Sequence, residues 1–352
     1  MEGDRLSVAV VLGGRSPEHE VSLDSGRNVL AALSPLRHRV RPVLVDRRGA
    51  WWCGRAWSTP AEALAALERQ LARPEAPEGP GPLLSDPPDV AFLAVHGRHG
   101  EDGEIQGFLQ AAGVPYTGSG VTASACAMDK AVARALLRER GIPVPEGLVV
   151  REEDDLPAAA RLARERIGPR AVVKIVNGGS SLGVEIVRDL EQLPAALARV
   201  QAHGRRVLVE RYIEGTEVTC AVLGNTEQGV LEALPVTEIV PRSSDFFDYR
   251  AKYTPGACEE ITPARLPEAT ARRVQELALR AHAALGCGGA SRTDFMIGFD
   301  DAYVLEVNTL PGLTRQSLLP QAACVAGLPF PQLVDRLISL GLERARFREV
   351  VT

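Results

Sequence analysis

The segment RTDFMIGFDDAYVLEVN constrains the fold more than any other part of this 352-residue sequence. Two largely apolar stretches flank a short polar turn, which predicts an antiparallel hairpin centred on Asp300. Because side chains alternate along a strand, Arg292 and Asp294 share one face, and so do Glu306 and Asn308. The hairpin places Asp294 opposite Glu306 and Arg292 opposite Asn308. These four polar side chains should therefore form one patch.

The patch offers the donors of a site for a hard divalent cation. Mg²⁺ binds one or two carboxylates and completes its shell with water and nucleotide phosphates. Without a cation, two facing acids inside otherwise apolar strands would be costly. We therefore predict that Asp294, Glu306 and Asn308 are metal ligands; a surface hairpin with an ordinary salt bridge is the alternative.

A second candidate site is Lys174 in the apolar strand RAVVKIV, followed by the loop NGGSSLG. The glycines let the backbone approach a phosphate closely, Ser180 and Ser181 offer hydroxyl donors, and the lysine supplies a positive charge. The loop lies between two predicted strands, whereas Walker and Rossmann loops are followed at once by a helix. We interpret it as a phosphate lid, with a plain structural turn as the alternative.

Two further segments carry candidate residues. In VLVERYIEGTEV an apolar strand ends in residues 210–213 and is followed by Glu217, so its edge could pair with adenine while an acid binds ribose hydroxyls. Glu18 and His19 follow the first strand, where an acid could pair with a substrate ammonium. An exposed strand and a helix-capping Glu18 are the alternatives.

The N-terminal third alternates strands and helices, which predicts a parallel sheet with ligand chemistry at the carboxyl ends of its strands. Strands are predicted over 39–46 and 89–97, and a helix near 60–72. One long helix is predicted over 121–140, beyond a turn-rich link that indicates a domain boundary. The length of the chain favours two or three domains.

Composition excludes some classes of partner. Forty Lys and Arg against 45 Asp and Glu leave a net charge of -5, so no basic excess is present to bind nucleic acid or an anionic membrane. No stretch approaches the roughly 18 apolar residues that span a bilayer, and the N-terminal apolar run is too short for a signal peptide. The six cysteines are scattered singly. We expect a cytoplasmic protein with reduced thiols and a small-molecule substrate.

Eight blocks of the sequence, taken in order, resemble the D-alanine:D-alanine ligases of the ATP-grasp superfamily. The blocks are GGRSPEHEVSL, VHGRHGEDGEIQGFL, PYTGSG followed by MDK, KIVNGGSSLG, ERYIEGTE, DYRAKY, RTDFM and EVNTLPGLTRQSL. They cover nearly the whole chain, which makes them far more specific than any single Gly-rich loop. The resemblance implies three α/β domains, over 1–120, 121–215 and 216–352, with ATP between the antiparallel sheets of the second and third.

The resemblance also implies the cofactors and the residues that hold them. ATP phosphates would contact Lys130 and Lys174, with Ser181 in the lid. Two Mg²⁺ ions, or Mn²⁺ in their place, would bind Asp294, Glu306 and Asn308. The residues implied to hold adenosine are Glu210, Arg211, Tyr212, Ile213 and Glu217.

The same resemblance assigns the D-alanine sites and implies a homodimer. Glu18 would hold the ammonium of the first D-alanine beside His96, and Arg292 with the Gly312 N–H would form an oxyanion hole. Ser317 and Leu318 would hold the second D-alanine. The residues implied to close over the reacting centre are Lys252 and Tyr253, the tyrosine being hydrogen-bonded through Ser180 to Glu18.

Two departures from the family pattern and three alternatives remain. Ile175 and Gly178 stand where the family usually has a proline and an acid, and Arg211 stands where lysine is common. A sister ligase for D-lactate, D-serine or another acceptor is the closest alternative, against which Tyr253 favours an amide product. An NAD oxidoreductase lacks its G-x-G-x-x-G, and a binding protein without catalysis should have lost the acids or Arg292, all of which are present.

Overall fold

The structure, a computed structural model, describes residues 5–178, 183–241 and 258–351. Three β-sheets follow one another along the chain, and helices pack on each of them. The α/β class predicted from the alternation of strands and helices is therefore observed.

The first sheet is mainly parallel, as predicted. Its strands are β1 (Leu6–Gly13), β2 (His38–Val45), β3 (Trp51–Cys53) and β4 (Val90–Leu93), in the order β3-β2-β1-β4. Strand β1 pairs in parallel with β2 and β4, whereas the short edge strand β3, which was not predicted, is antiparallel to β2. Because β1 is central, all but its first residue are buried, which explains its unbroken apolar run.

The helices of this part are α1 (His19–Ala32), α2 (Pro60–Ala72), α3 (Gly81–Ser85) and α4 (Glu104–Ala111). Helix α2 begins with a capping box between Thr59 and Glu62. Helix α1 approaches β1 so closely that a Cβ on Gly26 would lie 2.7 Å from the Leu12 Cβ. This close packing fixes the start of α1, and with it Glu18, at the carboxyl end of β1.

The prediction of one helix over 121–140 is wrong, because the segment forms α5 (Val121–Met128) and α6 (Lys130–Glu139). Asp129 separates them with an extended backbone, and its side chain accepts hydrogen bonds from the N–H groups of Ala131 and Val132. An aspartate that caps a helix in this way ends the preceding one. The break makes Lys130 the first residue of α6.

The second sheet is antiparallel. Its strands are β5 (Gly147–Arg151), β6 (Ala171–Ile175), β7 (Val184–Val187) and β8 (Arg206–Arg211), in the order β5-β8-β6-β7. Helices α7 (Leu156–Ile167) and α8 (Leu193–Gln201), the latter after a 3-10 turn at Leu190–Gln192, cover one face. The Gly-rich loop connects β6 to β7, so the prediction that it lies between strands is confirmed.

The third sheet contains β9 (Thr216–Asn225), β10 (Val230–Ala233), β11 (Thr237–Pro241), β12 (Cys258–Ile261), β13 (Ala290–Ile297) and β14 (Ala302–Asn308). Its order is β12-β11-β9-β13-β14, with β10 also paired to β9 and every pair antiparallel. Helix α9 (Glu268–Leu285) packs on it together with α5 and α6. The domain boundaries at residues 120 and 215 fall between the sheets, and we retain them as a proposal.

The predicted hairpin register is confirmed at its polar end. Asp294 pairs with Glu306, and Arg292 with Asn308. A bulge after Asp294 then shifts the register by one, so that Phe295 opposes Val304. The polar patch therefore lies on the side of the bulge away from the turn.

The chain ends with α10 (Leu318–Val325) and α11 (Phe330–Val351), and α11 returns to the first part of the fold. Leu333, Val334 and Leu337 of α11 belong to one buried cluster with Val8 and Leu30. No helix in the described ranges is long and apolar enough to cross a membrane. All six cysteines, which lie within those ranges, are free thiols.

His282 of α9 generates a prediction about stability and pH. It is fully buried beside Ser291, and burial lowers its pKa to about 4. When the pKa of a histidine is lower in the folded than in the unfolded state, the unfolded state binds the proton more readily. The free energy of unfolding is then undiminished above about pH 6.5 and decreases as the pH falls toward 4. When the pH is lowered from 7 to 5, the free energy of unfolding of the native protein should therefore decrease by about 2 kcal/mol more than that of His282→Gln.

Urea unfolding of both proteins at the two pH values measures this difference. His203→Gln, which changes an exposed histidine, is the control. Equal pH dependence in the native protein and His282→Gln would contradict the prediction.

Candidate active site

Two cavities in the described part of the structure meet at the third sheet. The larger has a volume of about 550 Å³ and the smaller about 130 Å³. Lys130, Gly178 and Glu306 line both. A molecule seated in the smaller cavity could therefore extend past these three residues into the larger one.

The smaller cavity is a slot between the second and third sheets. Its apolar walls are formed by Val172, Ile186, Met296 and Leu305. Residues 210–213 at the end of β8 and Glu217 on β9 also line it. All five residues predicted to hold adenosine thus meet here, in a slot whose apolar faces and strand edge suit a flat heterocycle.

Glu210 is the centre of a buried ion cluster beside this slot. Its Oε1 lies 2.5 Å from the Lys174 Nζ, and its Oε2 lies 2.5 Å from the Arg134 Nη1. Arg134 also donates to the Pro145 carbonyl, and burial lowers the pKa of its guanidinium. Two cations thus neutralise a carboxylate that is only 2% exposed.

Arg134 was missed by sequence reasoning. Its signal was available, since it lies four residues after Lys130 and therefore on the same side of a helix.

Two lysines border the junction of the cavities. Lys130 Nζ donates to the Gly178 carbonyl at 2.6 Å and lies 3.3 Å from the Glu306 Oε2. Lys174 Nζ, paired with Glu210, also lies 3.4 Å from the Leu305 carbonyl oxygen. The structure thus brings together both lysines predicted to contact phosphates, one from α6 and one from β6.

The three predicted metal ligands lie together on the β13–β14 face. Asp294 accepts two hydrogen bonds from Arg292, at 2.8 and 2.9 Å, and one from the Thr219 hydroxyl at 2.6 Å. Asn308 Oδ1 accepts from the Leu310 N–H at 2.9 Å. Two carboxylates and an amide oxygen fit the preference of Mg²⁺ for hard oxygen ligands.

The larger cavity is lined by Glu18 and His96, predicted for the first amino acid, and by Arg292 and Gly312, predicted to form the oxyanion hole. Glu18 and His96 lie close together, because a Cβ on Gly97, the residue after His96, would lie 2.4 Å from a Glu18 carboxylate oxygen. Burial lowers the pKa of His96.

Glu101, which sequence reasoning missed, also lines this cavity. Burial and the neighbouring Glu18 charge raise the pKa of its carboxyl to about 8. An amino-acid ammonium placed among these carboxyls would relieve their mutual repulsion.

The other end of the larger cavity is formed by Ser317 and Leu318 at the start of α10. Ser317 Oγ accepts from the Thr314 N–H at 3.0 Å, and a Cβ on Gly312 would lie 2.7 Å from it. Glu260, a further residue that sequence reasoning missed, accepts from Gln321 at 2.6 Å. Burial raises the pKa of its carboxyl.

Family models match most of the chain. A model described as the D-Ala–D-Ala ligase N-terminus matches residues 7–119, and one described as its C-terminus matches residues 136–339. This chain belongs to the D-Ala–D-Ala ligase family. A protein named D-alanine–D-alanine ligase from Syntrophobacter fumaroxidans is 44% identical over 346 residues, which cover 97% of this chain and 100% of its own.

Solved structures of the family share the fold over nearly the whole chain. The VanG D-Ala:D-Ser ligase from Enterococcus faecalis has a TM-score of 0.82 at 32% identity, covering 96% of this chain and 100% of its own. The Bacillus anthracis D-alanine–D-alanine ligase complexed with ATP has a TM-score of 0.75 at 30% identity, covering 97% and 99%. The ATP-grasp fold with three α/β domains, inferred from the sequence blocks, is confirmed.

Ile175 and Gly178, which depart from the ligase family pattern, are in contact, so the two departures are structurally linked. The Ile175 side chain occupies the space beside Gly178, where an added Cβ would lie 2.2 Å from the Ile175 Cδ1. A larger residue at 178 would therefore displace Ile175. The neighbouring predictions for Ser180, Ser181, Lys252 and Tyr253 lie outside the described residues.

The ion cluster generates a prediction about two substitutions in this ligase-family protein. Glu210→Ala should lower the free energy of unfolding by about 3–5 kcal/mol, because two buried cations lose their carboxylate. Lys174→Met should cost only about 1 kcal/mol, because Arg134 still pairs with Glu210. Urea unfolding measures both, with Arg134→Met as the matched substitution on the other cation. Equal losses for Glu210→Ala and Lys174→Met would contradict the described pairing.

Proposed function

We propose that this protein joins two D-alanines into D-alanyl-D-alanine, with ATP as the energy source and a D-alanyl phosphate as the intermediate. One observation carries the proposal: the apolar slot and the polar cavity share Lys130 and Glu306. A nucleotide in the slot would thus present its terminal phosphate to an amino acid in the cavity. The ATP complex of the Bacillus anthracis relative supports the same use of the fold.

In this proposal ATP lies with adenine between Val172 and Leu305 and its phosphates beside Lys130 and Lys174. Asp294, Glu306 and Asn308 would hold Mg²⁺, or Mn²⁺ in its place. The cation would neutralise phosphate charge that the two lysines only partly offset.

The first chemical step activates a carboxylate. Glu18 would hold the ammonium of the first D-alanine, so that its carboxylate oxygen attacks the γ-phosphorus. A new O–P bond forms as the bond to ADP breaks. Activation is needed because a carboxylate cannot expel oxide, whereas an acyl phosphate can expel phosphate.

In the second step the amine of the second D-alanine attacks the carbonyl carbon, a C–N bond forms as the C–O bond to phosphate breaks, and the departing phosphate takes up the proton that the nitrogen loses. Arg292 uses Nε and Nη2 to hold Asp294. We therefore propose that its Nη1, together with the Gly312 N–H, stabilises the developing oxyanion. One donor of this kind is typically worth about 10²- to 10³-fold in rate.

The identity of the acceptor is a finer part of the proposal. Ser317 and Leu318 would hold the second D-alanine. Tyr253, in a hydrogen-bond chain with Ser180 and Glu18, would favour an amine over a hydroxy acid, and Lys252 would lie near the reacting centre. D-serine is the second candidate acceptor, because the similar VanG protein is named a D-Ala:D-Ser ligase. We further propose a cytoplasmic homodimer that supplies a peptidoglycan precursor.

Phosphate release from Mg²⁺-ATP tests the function directly. We expect release with D-alanine alone, accompanied by D-alanyl-D-alanine on mass spectrometry. Reactions with added D-lactate or D-serine identify the acceptor. Release that requires an added D-serine would reassign the second substrate, and absence of any dipeptide would contradict ligase activity.

The proposed Mg²⁺ site generates a further prediction. Glu306→Gln removes one of two proposed carboxylate ligands, so the Mg²⁺ concentration for half-maximal rate should rise by at least about tenfold. Asp300→Asn is the control, since it removes the same charge at the exposed turn of the same hairpin. A Mg²⁺ titration of both variants at saturating ATP measures the difference. Equal Mg²⁺ requirements would exclude Glu306 as a ligand.

A further inference from the structure

Ser25 joins the first part of the fold to the loop that carries Gly312. It is fully buried on α1. Its hydroxyl lies 2.9 Å from the His96 Nε2, and it accepts a hydrogen bond from the Leu313 N–H at 3.3 Å. A serine hydroxyl has one hydrogen to donate. Because the oxygen can also accept a second hydrogen bond, the direction of its bond to His96 depends on which His96 nitrogen carries the proton.

The second nitrogen of His96 fixes the direction of this chain. Nδ1 lies 3.2 Å from the Leu310 carbonyl oxygen, and a carbonyl only accepts. Nδ1 therefore carries the ring proton, and Nε2 is the acceptor for Ser25. Both nitrogens of His96 are thus occupied by protein groups, which leaves the ring to support the loop.

Residues 308–313 receive further hydrogen bonds. Asn28, one turn after Ser25 on α1, donates from Nδ2 to the Leu313 carbonyl at 3.3 Å. At the other end Asn308 accepts from the Leu310 N–H. Helix α1 therefore binds both the N–H and the carbonyl of Leu313, the residue that follows Gly312.

We propose that Ser25 and His96 are positioning residues that hold the 308–313 loop so that the Gly312 N–H points at the reacting carbonyl. This proposal rests on the proposed ligase function. The Leu313 N–H and the Gly312 carbonyl belong to one rigid peptide plane, which meets the plane of the Gly312 N–H at the Gly312 Cα, so the bond to Ser25 restrains the backbone on one side of that N–H. Ser25 itself need not touch either substrate.

Ser22 offers a matched control on the same helix. It is also fully buried, and its hydroxyl likewise makes two hydrogen bonds, from the Gly13 N–H and to the Ala94 carbonyl, both at 2.7 Å. Those bonds stay within the first sheet and α1. Ser22→Ala and Ser25→Ala therefore remove the same group and the same number of bonds, but only the second releases the loop.

The experiment compares kcat for dipeptide formation, KM for ATP and the urea midpoint in both variants. Ser25→Ala should lower kcat on the order of 10- to 100-fold, because small misplacements at a reacting centre cost that much. Its KM for ATP should match the native value, since the nucleotide slot is untouched. Ser22→Ala should lower the urea midpoint at least as much while keeping the native kcat.

Hydrogen exchange at the Leu313 amide supplies a readout that does not depend on activity. Exchange should accelerate in Ser25→Ala and not in Ser22→Ala. Equal losses of kcat in the two variants, or unchanged Leu313 exchange in Ser25→Ala, would overturn the positioning role. A native protein that forms no dipeptide would instead refute the ligase function, while Leu313 exchange still reports whether the tether exists.

Discussion

Burying a carboxylate is costly unless cations or hydrogen-bond donors compensate its charge, and Glu210 has two cations beside it. Lys174 and Arg134 reach it from β6 and α6, so one ion cluster joins the strand that leads to the Gly-rich loop with the helix that begins at Lys130. Removing Glu210 would leave two buried cations without their carboxylate, whereas removing either cation leaves the other paired with Glu210. The spacing of the two lysines at the cavity junction therefore depends on Glu210.

The prediction from sequence succeeded where the determining pattern is local. Strand parity fixed the faces of Asp294 and Glu306, and the hairpin turn then set their pairing. Local patterns also predicted correctly that the Gly-rich loop lies between two strands. Asp129 was missed, although capping chemistry explains it, because the apolar pattern of α5 and α6 continues through it.

The pairings between side chains of the site could not be predicted because the partners are distant in sequence. Glu210 is 76 residues from Arg134, and Ser25 is 288 residues from Leu313. No periodicity links such pairs, since they meet only when separate sheets and α1 pack together. The raised pKa of Glu101 has the same origin, because it depends on burial and on Glu18, which belongs to another loop.

The acids and cations at the cavity junction form ion pairs with one another, so a ligand that binds one member of a pair also affects the other. Lys130 pairs with Glu306, and Arg292 pairs with Asp294. Phosphates that draw Lys130 away would remove one of the cations that compensate the charge of Glu306, which strengthens its attraction for a divalent cation. A cation on Glu306 would in turn release Lys130 to a phosphate. Because such coupling is reciprocal, nucleotide and Mg²⁺ should each increase the affinity for the other.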